Sequence, residues 1–272
     1  MMLDNDHVKH IVGDEAEYLV FPELEKYPEL GAAFAIKGAK GYHYEPISDD
    51  ANYVGIAKEV GIKRDSIIIP FQEHTATVAE YDDAVRDFKE TDGLVTIKRN
   101  ITLCTKVADC ISLLIYDPVN HAIGNVHSGW RGTLQKIALN GVRKMVEEFN
   151  SKPSDLICVI CPSIRQDHFE VDQDVYEEFQ QAFPQIINEI TVQRGDKYYI
   201  DTVRCNTWML EKAGVKSGNI IDSNLCTACH SDVINSYRGN KEAEKSWRNL
   251  AMIWLKDSSS LYNNNMISEV KR

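Results

Sequence analysis

The stretch Ile111-Ser112-Leu113-Leu114-Ile115-Tyr116, Asp117-Pro118-Val119-Asn120, His121-Ala122-Ile123-Gly124-Asn125-Val126, His127-Ser128-Gly129-Trp130-Arg131-Gly132-Thr133 decides the fold. Two short apolar runs flank a turn of aspartate, proline and asparagine, so they read as neighbouring strands. The second run ends in a glycine-containing turn. Thr133 is placed to cap a helix in which Leu134, Ile137, Ala138, Val142, Met145 and Val146 recur at steps of three and four, the spacing of a helix laid on a sheet through one face.

Outward from this unit, residues 94–97, 156–160 and 198–201 read as further short strands. Residues 66–71 read as a β-branched strand whose exit loop carries Gln72 and His74. Helices are expected over 51–61, 174–183 and 203–213, the last ended by Gly214. Residues 28–55 mix turn-formers with scattered aromatics and predict only short strands and loops. A closing helix is expected over 242–256, with Trp247, Leu250, Ala251 and Trp254 along one stripe. Neither repeats nor a linker divide the chain, so residues 1–272 read as one domain. Mixed short strands with intervening helices make its class α+β, a layered domain rather than a barrel or bundle.

Lysine plus arginine number 30 against 41 aspartate plus glutamate, a net charge of −11. That balance repels a phosphate backbone, so nucleic acid is not an expected partner. No apolar run reaches the roughly 18 residues of a membrane span, and the amino end lacks a basic region followed by an apolar stretch. The expected location is the cytoplasm, and the expected state is a monomer or small homo-oligomer. Seven cysteines without an export signal read as reduced thiols available for metal binding or nucleophilic chemistry.

Three of the strand-end positions carry metal-binding side chains: His74, Cys110 and His127. Two imidazoles and a thiolate make a three-donor set, and zinc sites with three protein ligands keep a fourth position for water or substrate. The same residues also read as a turn histidine, a buried cysteine and a strand-end histidine with no metal at all.

The neighbourhoods Ala108-Asp109-Cys110, Leu114-Ile115-Tyr116-Asp117-Pro118 and Val126-His127-Ser128-Gly129-Trp130-Arg131-Gly132-Thr133 weigh against that bland reading. With Gln72-Glu73-His74, Thr91-Asp92-Gly93-Leu94-Val95-Thr96, Phe169-Glu170-Val171, Ile200-Asp201, Leu225-Cys226-Thr227, Ser236-Tyr237-Arg238 and Arg248, they run in order over roughly residues 50–255. In these pieces the chain resembles the laccase-domain family once labelled polyphenol oxidase. Its members act as zinc-dependent purine nucleoside phosphorylases with adenosine deaminase activity, and some are described as peptidoglycan editing factors.

The resemblance implies a layered α/β/β/α domain in which His74, Cys110 and His127 hold one zinc ion per chain. It implies a purine nucleoside (adenosine, inosine, guanosine or methylthioadenosine) and phosphate as the small-molecule partners. Within that frame Asp109 is the candidate for orienting water or moving a proton. Arg131 and Arg238 are the candidate phosphate binders, since a guanidinium matches two phosphate oxygens, although Arg131 could instead pair with Glu170 and lock its turn. Lys37, standing where an arginine-containing turn is expected, is a further candidate substrate binder, and residues 1–50 are the divergent part of the domain. Ser128 replaces the usual alanine, and Ile160-Cys161-Pro162-Ser163-Ile164-Arg165 replaces a glycine-proline turn. A second enzyme class is a cysteine hydrolase with Cys110 as nucleophile and His127 as base. A copper phenol oxidase would need more histidines than lie near the motifs.

Cys226-Thr227-Ala228-Cys229-His230 matches a haem-attachment pattern, which the absence of an export signal discounts. Cys158 and Cys161 form a second closely spaced pair, so a four-cysteine structural zinc with Cys226 and Cys229 is arithmetically possible, but in a strand positions three apart face opposite sides and both read as core thiols. His7, His10, His43, His121 and His168 have no convergent partners in the sequence and read as solvated or capping residues.

Overall fold

The computed structural model describes residues 3–37, 42–43, 51–85, 87–240 and 247–257. Two sheets stack face to face between helices. One runs in the order Lys9–Val12, Glu17–Val20, Leu30–Ala35, Trp247–Leu255, Thr102–Val107, Ile67–Ile68, with Tyr42–His43 also pairing with Trp247–Leu255. The other runs Ile220–Asp222, Ile157–Ile160, Ile111–Asp117, Ala122–Ser128, Gly93–Thr96, Val78–Glu80. A small third sheet joins Glu170–Val171, Lys197–Ile200 and Thr191–Arg194.

The period of two along a strand assigns each side chain to a layer. Leu113 and Ile115 face the helices Ile137–Phe149 and Thr202–Ala213, packing with Val142, Met145 and Met209. Their neighbours Leu114 and Tyr116 face the other sheet and pack with Leu103, Val107, Ala251 and Ile253. The outer face of that sheet buries Ala33, Cys104, Leu250 and Met252 under Tyr53, Ile56 and Ala57 of the helix Ala51–Val60. The order is therefore helix, sheet, sheet, helix, an α/β/β/α arrangement of mixed sheets. A buried polar knot ties the two sheets: Asn125 Nδ2 donates to Leu103 O (3.0 Å) and Ala251 O (2.9 Å), while its Oδ1 accepts from Thr105 and Ser112 hydroxyls. Each buried polar atom there has a partner, which removes the desolvation penalty it would otherwise carry.

The expected helix over 242–256 is instead, where described, the strand Trp247–Leu255; residues 242–246 lie outside the described residues. It is a central strand buried on both faces, so its apolar run is continuous, and within such a run the tryptophan and leucine spacing mimics a helical stripe. Thr133 is not a cap: it lies inside the short helix Trp130–Leu134, with its hydroxyl on Gly129 O (3.0 Å). Lys136, at φ 67°, breaks the chain from that helix before Ile137–Phe149 begins. Of residues 66–71 only Ile67–Ile68 pairs as a strand. The strand Thr102–Val107 was not anticipated, because Thr102, Thr105 and Lys106 interrupt its apolar pattern. Gly38, Gly41, Pro46 and Asp49-Asp50, read as turn-formers, lie outside the described residues.

Candidate active site

Asp92 organises the centre. Fully buried where the chain enters the strand Gly93–Thr96, its carboxylate gathers five donors from two segments. Oδ1 accepts from His74 N (3.0 Å) and His127 Nδ1 (2.7 Å); Oδ2 accepts from Glu73 N (3.2 Å), Thr75 N (2.7 Å) and Thr75 Oγ1 (2.8 Å). Its own backbone oxygen takes His127 N at 2.6 Å. Burial opposes the charge, but the hydrogen bonds and His127 overcome it and hold the carboxyl at about 2. Gln72, clamped on Lys106 N and O at 2.8 and 2.9 Å, fixes the same segment to the end of the strand Thr102–Val107.

With Nδ1 committed to Asp92, His127 has Nε2 free to turn inward. The donor atoms of His74, Cys110 and His127 lie within 4.8 Å of one another. Cys110 Sγ is 3.9 Å from His74 Nε2, and the two imidazoles meet edge to face, 4.9 Å between centroids. Burial pushes the Cys110 thiol up, yet hydrogen bonds and charge from His127 and His74 pull it down to about 6. Burial likewise opposes protonation of His127, and Asp92 and Cys110 outweigh it, raising the imidazole to about 9. The set can hold a cation, or in its absence a thiolate beside an imidazolium.

Close approach dictates Gly129: a Cβ there would stand 2.6 Å from His74 Cδ2 and 3.3 Å from Cys110 Sγ. His74 and Asp109 themselves take left-handed backbone, at φ 60° and 82°, conformations that cost free energy and persist only where neighbours enforce them. For Asp109 the neighbours are Thr227 Oγ1 and Ser236 Oγ, both donating to Oδ1 at 2.6 Å, and Arg238 N donating to Oδ2 at 2.7 Å.

These residues floor a cleft of about 470 Å³, in the range of small-molecule sites. Its lining includes Lys106, Arg131, Arg238 and Arg248 against one carboxylate, Asp109, and the rings of Trp130, Phe169 and Tyr237. Arg131 is exposed and stacks on Trp130, 4.1 Å from guanidinium carbon to ring centroid. Glu170, its alternative partner, instead receives Tyr199 Oη at 2.5 Å. Arg238 lies over Phe169 at 5.6 Å and donates to Glu170 O at 3.0 Å. Lys37 is not in the lining; its amine reaches Ser231 O at 3.4 Å.

The profile of the family described as multi-copper polyphenol oxidoreductase laccase matches residues 45–256. The chain belongs to that family. It is 32% identical over 184 residues to a purine nucleoside phosphorylase of Bacteroides thetaiotaomicron, covering 64% of this chain and 68% of the relative. It is 31% identical over 195 residues to adenosine deaminase RL5 from an unknown prokaryotic organism, covering 67% and 74%. The crystal structure of the Bacillus licheniformis hypothetical protein YfiH superposes with a TM-score of 0.80 at 25% identity, covering 91% of this chain and 99% of that one. Among the described residues no helix is long and apolar enough to cross a membrane.

Sequence reasoning missed Asp92 as the organiser, although Thr91-Asp92-Gly93 stood among the family-like pieces; an acid opening an apolar strand was the available signal. It also missed the lining roles of Trp130, Phe169, Tyr237 and Lys106. The expectation that His168 lacks convergent partners fails: its ring meets Cys226 and Cys229.

Proposed function

We propose that the chain is a zinc-dependent purine nucleoside phosphorylase that also deaminates adenosine. The observation that carries this reading is a three-donor cluster on the floor of a cleft rimmed by four cations and three rings. The donor set suits zinc, since two imidazoles and one thiolate leave a fourth position open. His127 is oriented by a carboxylate, as ligand histidines commonly are. When bound, zinc acts as a Lewis acid toward water or substrate oxygen.

The remaining work falls to the chain itself. Arg131 and Arg238 bind phosphate and hold it against the sugar carbon whose bond to the base breaks, neutralising charge as it develops. Phe169 and Tyr237 flank the base. Asp109, its carboxylate taken up by three donors, acts as a positioning residue for Arg238 and Cys110 rather than as a proton carrier. The relatives named purine nucleoside phosphorylase and adenosine deaminase support the two reactions. Reduced Cys110 is required, which fits a cytoplasmic enzyme.

Incubation with adenosine, with and without phosphate, followed by chromatography of adenine, inosine and hypoxanthine tests the reading. Adenine that needs phosphate and inosine that does not are expected. If no nucleoside is converted by protein holding zinc, the proposal is wrong.

One observation favours a second reading. Cys110, His127 and Asp92 stand in the order nucleophile, base and orienting acid, with the thiol at about 6, the arrangement of a cysteine hydrolase such as a peptidoglycan-precursor editing amidase. A chain that binds no zinc, yet loses amide hydrolysis when Cys110 is alkylated, would establish it. A copper phenol oxidase is disfavoured because the donor clusters among the described residues hold three donors each.

A further inference from the structure

Outside this cleft the chain brings together a second set of soft donors. His168 ends the short turn Gln166–His168, and Cys226 and Cys229 follow the strand Ile220–Asp222. Their donor atoms lie within 4.8 Å of one another. His168 Nδ1 is 3.7 Å from Cys226 Sγ and 3.8 Å from Cys229 Sγ. Tetrahedral zinc, with bonds of about 2.0 Å to nitrogen and 2.3 Å to sulfur, requires nitrogen and sulfur ligands roughly 3.5 Å apart, so the spacing is within a few tenths of an ångström of what the ion needs.

The two segments are held in register by bonds of their own. Ser163 N donates to Leu225 O (3.3 Å) and Thr227 N to Ser163 O (3.1 Å), while Arg165 pairs through two nitrogens with Asp222 at 2.7 and 2.5 Å. The cluster is thus formed in advance. Cys226 is buried, whereas His168 and Cys229 are exposed, so an ion can enter from solvent.

We propose that His168, Cys226 and Cys229 bind a second zinc ion, with its fourth position open to solvent. The residue order His-Phe-Glu followed by Cys-x-x-Cys resembles that of zinc deaminases, but Leu225 stands where their signature has proline. Glu170 accepts from Tyr199 Oη at 2.5 Å and does not join the three donors. The ion's role is to order the two segments, with water completing the four-coordinate shell. Thr227, between the two cysteines, holds Asp109 beside Cys110, and Phe169, next to His168, lines the cleft. The ion staples the segments that carry both residues.

The full chain, purified under reducing conditions, loaded with zinc alone and desalted, is examined by elemental analysis. Two zinc ions per chain are expected, falling to one in Cys229→Ser, in His168→Gln and, separately, in His74→Gln. Both of the first two positions are exposed, so the fold should survive. In the unmutated protein Cys229 should resist alkylation until a chelator is added. Zinc content unchanged by Cys229→Ser and His168→Gln overturns the proposal, as does a Cys226–Cys229 disulfide in the reduced preparation. Because His74→Gln empties the other cluster alone, either site can fail without the other.

Discussion

Replacing Asp92 with asparagine removes one charge and one acceptor while keeping the shape, and the structure fixes what is lost. If the amide oxygen faces His127 and His74 N, the amide nitrogen faces Glu73 N and Thr75 N, and both donors go unpaired. If it is flipped, His74 N is stranded and His127 Nδ1 must accept, which places the proton on the nitrogen needed inward. Either way about two hydrogen bonds to a charged group disappear, each worth roughly 1.5–3 kcal/mol, so about 3–6 kcal/mol of stability is at risk. Zinc affinity should fall roughly 10- to 100-fold, as when a ligand histidine loses its orienting partner. The measurements are chemical denaturation of the metal-free protein and a zinc competition titration. A pH series adds a sign check. Asp92 is held at about 2 when folded, below its unfolded value near 4, so its stabilisation is complete above about pH 4 and lost as pH falls toward 2. Asp92→Asn should flatten that acid limb. A variant within about 1 kcal/mol of wild type, with zinc affinity within twofold, would refute the reasoning.

Gly129→Ala meets no backbone penalty at φ −69°, but its Cβ would press on His74; a tenfold or larger loss of zinc affinity with a nearly unchanged melting temperature is expected. In metal-free protein the rate of Cys110 alkylation by iodoacetamide should be half-maximal near pH 6, where the thiol ionises, and level off by about pH 7–8 instead of climbing toward pH 9, and zinc should suppress it; competition against intact mass measures both. Arg131→Ala should raise the phosphate KM roughly tenfold or more, the value of a charge-assisted pair, and leave phosphate-independent deamination within a few-fold, as read from initial rates.

How much could be read from the sequence depended on how locally each feature is encoded. The strand pair Ile111–Asp117 and Ala122–Ser128 was legible because an apolar run, a turn of special residues and a second run lie end to end. His74, Cys110 and His127 were legible because each sits in its own distinctive segment. The strand Trp247–Leu255 was not, since burial on both faces erases the alternation that marks a strand. Thr102–Val107 was hidden for the opposite reason: Thr105 belongs inside only because Ser112 and Asn125, from other strands, satisfy it. The cluster around His168 was hidden because its partners are some sixty residues away, and only the register between the segments around Ser163 and Thr227 brings them together.

Asp109 links the two halves of the cleft. A non-glycine residue at φ 82° aims the next residue, Cys110, at the histidines, and that conformation is held by Thr227, Ser236 and Arg238 N. The same carboxylate fixes the backbone of Arg238 on the cationic rim. Donor set and rim should therefore respond together to one change, which separate local effects would not produce. Asp109→Ala frees three donors and leaves an alanine in left-handed backbone, a further cost of roughly 1 kcal/mol. Zinc affinity and phosphate KM should both worsen, each by about tenfold, whereas Arg131→Ala moves only the second. Titrations in which Asp109→Ala alters one quantity and spares the other would show that the cleft is two independent sites sharing a wall.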